Sequence, residues 1–155
     1  MESVVIRPVD LSFLPERTQL EAFLHSHHLK LEKDVEQAFG LYDAGEELLG
    51  CGCASGNILK CFAIDESLRG QNGLGTLVSH LTADRFAAGH DHLFVVTRPH
   101  NLQLFSGCGF YPVARTTEAL VLENRRRGPE KFLSRLPKAP EGVENIGAIV
   151  MNCNP

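Results

Sequence analysis

Residues 62–81 read FAIDESLRGQNGLGTLVSHL, and in them an apolar strand runs into a glycine-rich turn that opens a helix. Residues 61–64 have the unbroken apolar character of a buried strand. Gly70, Gly73 and Gly75 then make a turn whose backbone can approach a ligand without Cβ hindrance. Thr76, Leu77, Val78, Leu81 and Phe86 recur at helical spacing, so a helix is predicted from Gly75 whose first free N–H groups point back into the turn. Such a helix start suits an anion, a pyrophosphate for example. Glycine pairs also occur in turns that bind nothing, so the flanking residues have to decide.

A nucleoside triphosphate loop ends in Gly-Lys-Ser or Gly-Lys-Thr, whereas Gly75-Thr76-Leu77 offers no lysine to a terminal phosphate. A Rossmann fingerprint spaces its glycines Gly-x-Gly-x-x-Gly, which Gly70, Gly73 and Gly75 do not match. What stands here is Arg69-Gly70, a short spacer, then Gly73-Leu74-Gly75 entering a helix. This resembles the acyl-CoA pyrophosphate loop of the GCN5-related N-acetyltransferase (GNAT) family. Downstream, residues 93–97 read as a strand, 101–106 as a short helix, and Gly109-Phe110 as that family's entry into its next strand.

The resemblance covers most of residues 1–124 and implies an α/β (α+β) domain. Its central sheet should be mixed and mostly antiparallel, with helices on both faces and a split between the strands at 61–64 and 93–97, where a pantetheine arm inserts. It implies acetyl-CoA or CoA as ligand, held by Phe62, Ala63, Ile64, Arg69, Gly70, Gln71, Asn72, Gly73, Leu74, Gly75 and Thr76. The loop is one residue longer than the family's pattern, a difference that a bulge at Gly73 can absorb. Phe105 stands where the family often places a tyrosine as general acid, four residues before Gly109. It has no proton to give, so no catalytic residue is assigned.

The wording of RGQNGLG, HLFVVTRPHNLQLFSGCGFYPV, ALVLENRR and NIGAIVMNCNP further resembles the N-terminal part of [citrate (pro-3S)-lyase] ligase. In that family an acetyltransferase-like domain precedes a nucleotidyltransferase domain, whose first strand ends in Asn-Pro and leads into a Thr-x-Gly-His motif. The resemblance implies residues 1–124 as a domain that binds CoA or acetyl-CoA, 125–144 as linker and 145–155 as the start of the next domain. It also implies ATP-dependent acetylation of a thiol on the citrate lyase acyl carrier protein, whose prosthetic arm is a dephospho-CoA derivative. No Thr-x-Gly-His occurs in the 155 residues, so ATP is expected to act only through the following domain. Two other expectations stand beside this one: a free-standing acetyltransferase using acetyl-CoA and an amine, and a non-catalytic CoA-sensing domain.

Composition sets the outer limits. With 155 residues, 43% hydrophobic and 22% charged, the chain is one globular domain's worth with a tail. A net charge of −4, with only Arg125-Arg126-Arg127 as a basic run, lacks the footprint of a nucleic-acid binder. The start MESVVIRPVD is no secretory signal, and no apolar run approaches membrane-spanning length. Five cysteines in odd number, none as Cys-x-x-Cys, fit a reducing cytoplasm.

Ahead of the turn, residues 4–6 begin a strand closed by Pro8, and Pro15 opens a helix carrying Leu20, Phe23 and Leu24 on one face. His25, His27 and His28 end that helix and are read as facing water rather than a metal. Residues 38–43, 48–54 and 58–64, separated by Ala44-Gly45 and Ser55-Gly56-Asn57, read as a three-stranded meander. In it Cys51 and Cys53 share a face as small core residues, and Gly50 and Gly52 leave room for a ligand groove beside the strand. The segment His90-Asp91-His92 reads as a polar loop, Cys108 as a buried thiol, and 113–116 with 120–123 as a last hairpin. Residues 146–151 form a further strand-like run.

Overall fold

The computed structural model describes residues 4–124. The predicted linker at 125–144, the segment 145–155 and the strand-like run at 146–151 lie outside those residues. Four strands come first around one helix: β1 (Val5–Pro8), α1 (Leu14–Ser26), β2 (Gln37–Tyr42), β3 (Leu48–Ser55) and β4 (Ile58–Ile64). The turn and α2 (Gly73–Ala87) follow, then β5 (Phe94–Thr97), α3 (Leu102–Gly107), β6 (Tyr111–Arg115) and β7 (Leu120–Glu123).

The sheet runs β1-β2-β3-β4-β5-β7-β6. Its adjacent strands are antiparallel except β4 and β5, which are parallel. This is the mixed, mostly antiparallel α/β architecture expected. Strand alternation sorts the apolar residues onto two faces. Leu20 and Leu24 of α1 pack with Ala38, Tyr42, Cys51 and Cys53. Leu77, Val78 and Leu81 of α2 pack on the other face with Phe39, Leu41, Leu59 and Val95. Each buried leucine, valine or phenylalanine among them contributes about 1.5–3 kcal/mol, so helices on both faces are what the two apolar sheet surfaces require.

The split is visible in the register. Strand β4 pairs with β5 through Ile58↔Phe94 and Leu59↔Val95, and the ladder stops there. On the other edge of β4, Cys51 is opposite Ala63 and Cys53 opposite Lys60, so Cys61 and Phe62 together face Gly52. This is a bulge, and Cys61 takes φ 57° in it, a left-handed conformation that costs a residue with a Cβ about 1–2 kcal/mol. Its effect shows in the packing: Leu59 belongs to the α2 face and Cys61, two residues on, to the α1 face. A regular strand would put both on one side. The bulge rolls the end of β4 just where it leaves β5.

Two details differ from the sequence reading. The helix starts at Gly73 rather than Gly75, with Asn72 before it in a left-handed conformation (φ 55°). A Cβ on Gly73 would stand 3.0 Å from Ile64 Cδ1 and 3.1 Å from Leu41 Cδ1, so its absence lets the helix begin close against the sheet. The glycines of β3 border no groove. Cβ atoms there would meet Ile64 Cδ1 at 2.8 Å for Gly50, and Leu81 Cδ1 and Phe62 Cε1 at 2.7 Å for Gly52. The chain's own side chains fill that room.

The segment after α1 is tied to the sheet by a buried cation. Lys60 is fully buried, with its ammonium on the Glu32 and Asp34 carboxylates. Burial pushes this lysine down, but the carboxylate hydrogen bonds and charges outweigh it and hold its pKa above the usual value. Cys61 Sγ reaches the Lys30 carbonyl at 3.6 Å. Together these fix the segment that follows α1 against the end of β4.

Candidate functional site: the groove at the strand split

Where β4 and β5 part, a cavity of about 610 Å³ opens. Phe62, Ala63 and Ile64 form one wall, and Arg69, Gly70, Asn72, Gly73 and Leu74 form its glycine-turn end. Val96 and Thr97 of β5 form the opposite wall, continued by Arg98, His100, Asn101 and Leu104. The remaining three residues of the expected set are near but not lining. Gln71 Nε2 donates to the Ser67 carbonyl at 3.2 Å, and both the N–H and the hydroxyl of Thr76 go to the Asn72 carbonyl. Gly75 lies under the Asn72 side chain.

The turn is built for close backbone approach. Asp65 caps a short 3₁₀ turn (Glu66–Leu68) by accepting from Ser67 N at 3.0 Å and Ser67 Oγ at 2.6 Å. Those bonds hold the Asp65 carboxyl below its ordinary value. Gly70 follows at φ +79° with nothing within 4 Å of where a Cβ would stand. Of the peptide N–H groups here, Arg69 and Gln71 donate to Glu66 and Leu68. Those of Gly73, Leu74 and Gly75 are the first in α2, which a helix leaves without internal partners.

The groove's charge runs against that of the chain. In a protein of net charge −4, Arg69 and Arg98 both line the cavity, which favours an anionic ligand at this place. Arg98 Nη2 donates to the His27 carbonyl at 3.2 Å, and Asn101 Nδ2 to Thr97 Oγ1 at 2.9 Å.

His27 corrects the reading of a solvated helix end. His25 and His28 are exposed, but His27 is half-buried, its ring 4.6 Å from that of Phe23, and it lines the cavity. Burial pushes its imidazole below the usual histidine value. Asp65 opposes that shift, while the Arg98 and Arg69 guanidiniums and His28 reinforce it.

Two further expectations change. Cys108 is exposed rather than buried, and partial desolvation pushes its thiol up, away from reactivity. Phe105 is fully buried, its ring 5.2 Å from Phe62 and 6.2 Å from Phe110. The neighbouring Leu104, not Phe105, faces the cavity. The buried positions of Cys51 and Cys53 agree with their reading as core. Among the described residues, no group of three or more His, Cys, Asp or Glu side chains is placed to hold a metal. No helix among them is long and apolar enough to cross a membrane.

The chain is 39% identical over 142 residues to the [citrate [pro-3S]-lyase] ligase of Klebsiella pneumoniae, covering 91% of this chain and 41% of that protein. The Haemophilus influenzae ligase is 38% identical over 137 residues, covering 88% and 41%. The chain is a homologue of the N-terminal part of citrate lyase ligase. It spans about 41% of the length of these relatives.

No family model matches the chain. Among solved structures, Escherichia coli ElaA superposes with a TM-score of 0.64 at 13% identity, covering 79% of this chain and 99% of that one. A GNAT family acetyltransferase from Elizabethkingia anophelis, determined with acetyl-CoA bound, gives 0.52 at 13% identity, covering 81% and 100%. The fold of this citrate lyase ligase homologue is the GNAT fold.

Proposed function

We propose that the groove binds CoA or the dephospho-CoA-type prosthetic arm of the citrate lyase acyl carrier protein, and that it presents the arm's thiol for ATP-dependent acetylation in the cytoplasm. The observation that carries this reading is an open strand split, ending in an arginine-bearing glycine turn, in a homologue of citrate lyase ligase. Ala63 and Ile64 of β4, with Val96 and Thr97 of β5, lie beyond the last β4–β5 pair. They can offer peptide groups to an amide-bearing arm. The free N–H groups at the start of α2 and the Arg69 side chain suit a pyrophosphate. Such a ligand supplies a thiol; the chain's residues hold and orient it. Acetate activation is assigned to the length of the ligase that this chain does not match.

CoA should therefore raise the melting temperature of the chain, by mass action on the native state, and ATP should not. Equal shifts with CoA and ATP, or none with either, overturn the assignment. Residues 1–124 are proposed as the whole CoA-binding domain. A chain ending at Arg127 should keep both its fold and its CoA response, and loss of either would refute that division.

The second reading is a free-standing acetyltransferase using acetyl-CoA. It is favoured by the size of the structural neighbours, which match over 99% and 100% of their own lengths. Acetyl-CoA turnover with a panel of amines separates the two. Slow turnover with every amine is expected, because Phe105 is apolar and outside the cavity; rapid turnover of any one would favour the second reading.

A further inference from the structure

We propose that His27 is the proton acceptor for the thiol held in the groove, an assignment that rests on the groove binding a CoA-type arm. Acylation of a thiol needs the S–H proton removed, because the thiolate is the nucleophile. Of the groups lining the cavity, Arg69 and Arg98 are permanently charged and can accept nothing. Cys61 is buried with its sulfur directed at the Lys30 carbonyl. His100 lines the same wall but is exposed. Asn101 has its side-chain amide on Thr97. Among these lining residues, His27 alone combines an imidazole with partial burial in the cavity wall.

The surroundings of His27 suit the task. Its ring lies against Phe23, and Arg98 Nη2 donates to its carbonyl. The titratable and charged groups that face it are Asp65, which favours its protonation, and Arg98, Arg69 and His28, which disfavour it. Before the thiol ionises, burial and the two guanidiniums disfavour the imidazolium, so a ring nitrogen is free to accept a proton; the thiolate, once formed, opposes them. Arg98, which is not assigned to the phosphates, favours the thiolate that forms. In the step, the S–H proton passes to a ring nitrogen of His27, and the sulfur bonds to the carbonyl carbon of an activated acyl group, a mixed anhydride. The acyl–oxygen bond breaks, its electron pair leaves with the departing anion, and the imidazolium returns its proton to solvent. Arg98 is a positioning residue here, acting through the backbone of His27.

The test reads ionisation rather than turnover. The chain is saturated with CoA or with desulfo-CoA, and the difference in thiolate absorbance between the two complexes is followed against pH. The bound thiol should ionise about one pH unit lower in the wild type than in His27→Gln, with CoA affinity kept within about threefold. Equal titration curves in the two proteins overturn the proposal. So does a large loss of affinity without a change in the curve, which would make His27 a binding residue only. A second measurement needs no substitution: the His27 ring, followed by NMR, should titrate at higher pH with CoA than with desulfo-CoA, because the thiolate stabilises the imidazolium. An unchanged ring titration also overturns the proposal. Failure of the wild type to bind CoA at all would instead refute the groove's assignment, and the two failures are told apart by calorimetry.

Discussion

Two sets of glycines in this chain do opposite work. On β3, the places that Cβ atoms would take at Gly50 and Gly52 are occupied by Ile64, Leu81 and Phe62. In the turn before α2, the place beside Gly70 is empty to 4 Å and borders the cavity. A glycine in a sequence marks a vacancy without saying what fills it. On β3 it is filled by the chain's own core, so those glycines belong to folding. At Gly70 it is left open beside the cavity, where the proposed ligand would lie. The two sets meet through Phe62 and Ile64, which fill the β3 vacancies and also wall the groove.

The sharpest way to break this contrast is Gly52→Val. The new Cβ would stand 2.7 Å from both Leu81 Cδ1 and Phe62 Cε1. Leu81 can shift its methyl, but the Phe62 ring is backed by Phe105 at 5.2 Å between centroids. Overpacking of this kind should cost about 3 kcal/mol, measured as a lower denaturation midpoint with an unchanged denaturant slope. A loss below about 0.5 kcal/mol would show that β3 has slack, and the glycine would then lose its packing explanation.

Much of the architecture is legible in the sequence because it rests on local chemistry. The turn residues Ala44-Gly45 and Ser55-Gly56-Asn57 separate strands of apolar character, and the structure returns β2, β3 and β4 between them. Arg69 to Gly75 mark a strand-to-helix turn because glycine and helix-start signals are read over a few residues. What escaped was set by contacts far apart in the chain. His27 lines the groove beside Arg98, 71 positions away, which donates to its carbonyl. No spacing around His25-Ser26-His27-His28 carries that signal. The bulge at Cys61 is likewise a property of the β3–β4 register, invisible in the run of apolar letters. Thr97 and Asn101 are four apart and hydrogen-bonded, a spacing that, on the strand-to-helix step after residue 97, could have been noticed as a polar pair.

Phe105 illustrates the same limit and carries the next prediction. Motif position alone suggests that a tyrosine there would restore an acid to the groove. The structure surrounds the ring with Phe62 and Phe110 and leaves it no exposure, so Phe105→Tyr must bury a hydroxyl in an apolar cluster. The expected result is a loss of about 2 kcal/mol and no gain in acetylation of amines. A stable variant with faster amine turnover would show that the hydroxyl reaches the cavity, and would bring the general-acid role back to this position.

Gly70→Ala is expected to have the smallest effect on stability and decides whether the open vacancy is a ligand's. Its φ of +79° costs an alanine about 1 kcal/mol, while the added methyl meets nothing within 4 Å and so creates no clash. The unliganded protein should therefore unfold only slightly earlier than the wild type. Binding is another matter, because the methyl would occupy space on the cavity wall that the turn keeps clear for close approach of an anionic group. CoA affinity should fall about tenfold, equivalent to about 1.4 kcal/mol, measured by calorimetry on variants shown to be folded at the assay temperature. Read with Gly52→Val, this separates the two kinds of vacancy: the β3 substitution lowers stability more than affinity, and the turn substitution does the reverse. If Gly70→Ala loses stability as expected while CoA binds as tightly as before, the space beside Gly70 is not where the ligand lies, and the phosphates must be held from the Asn72 to Leu74 side of the turn.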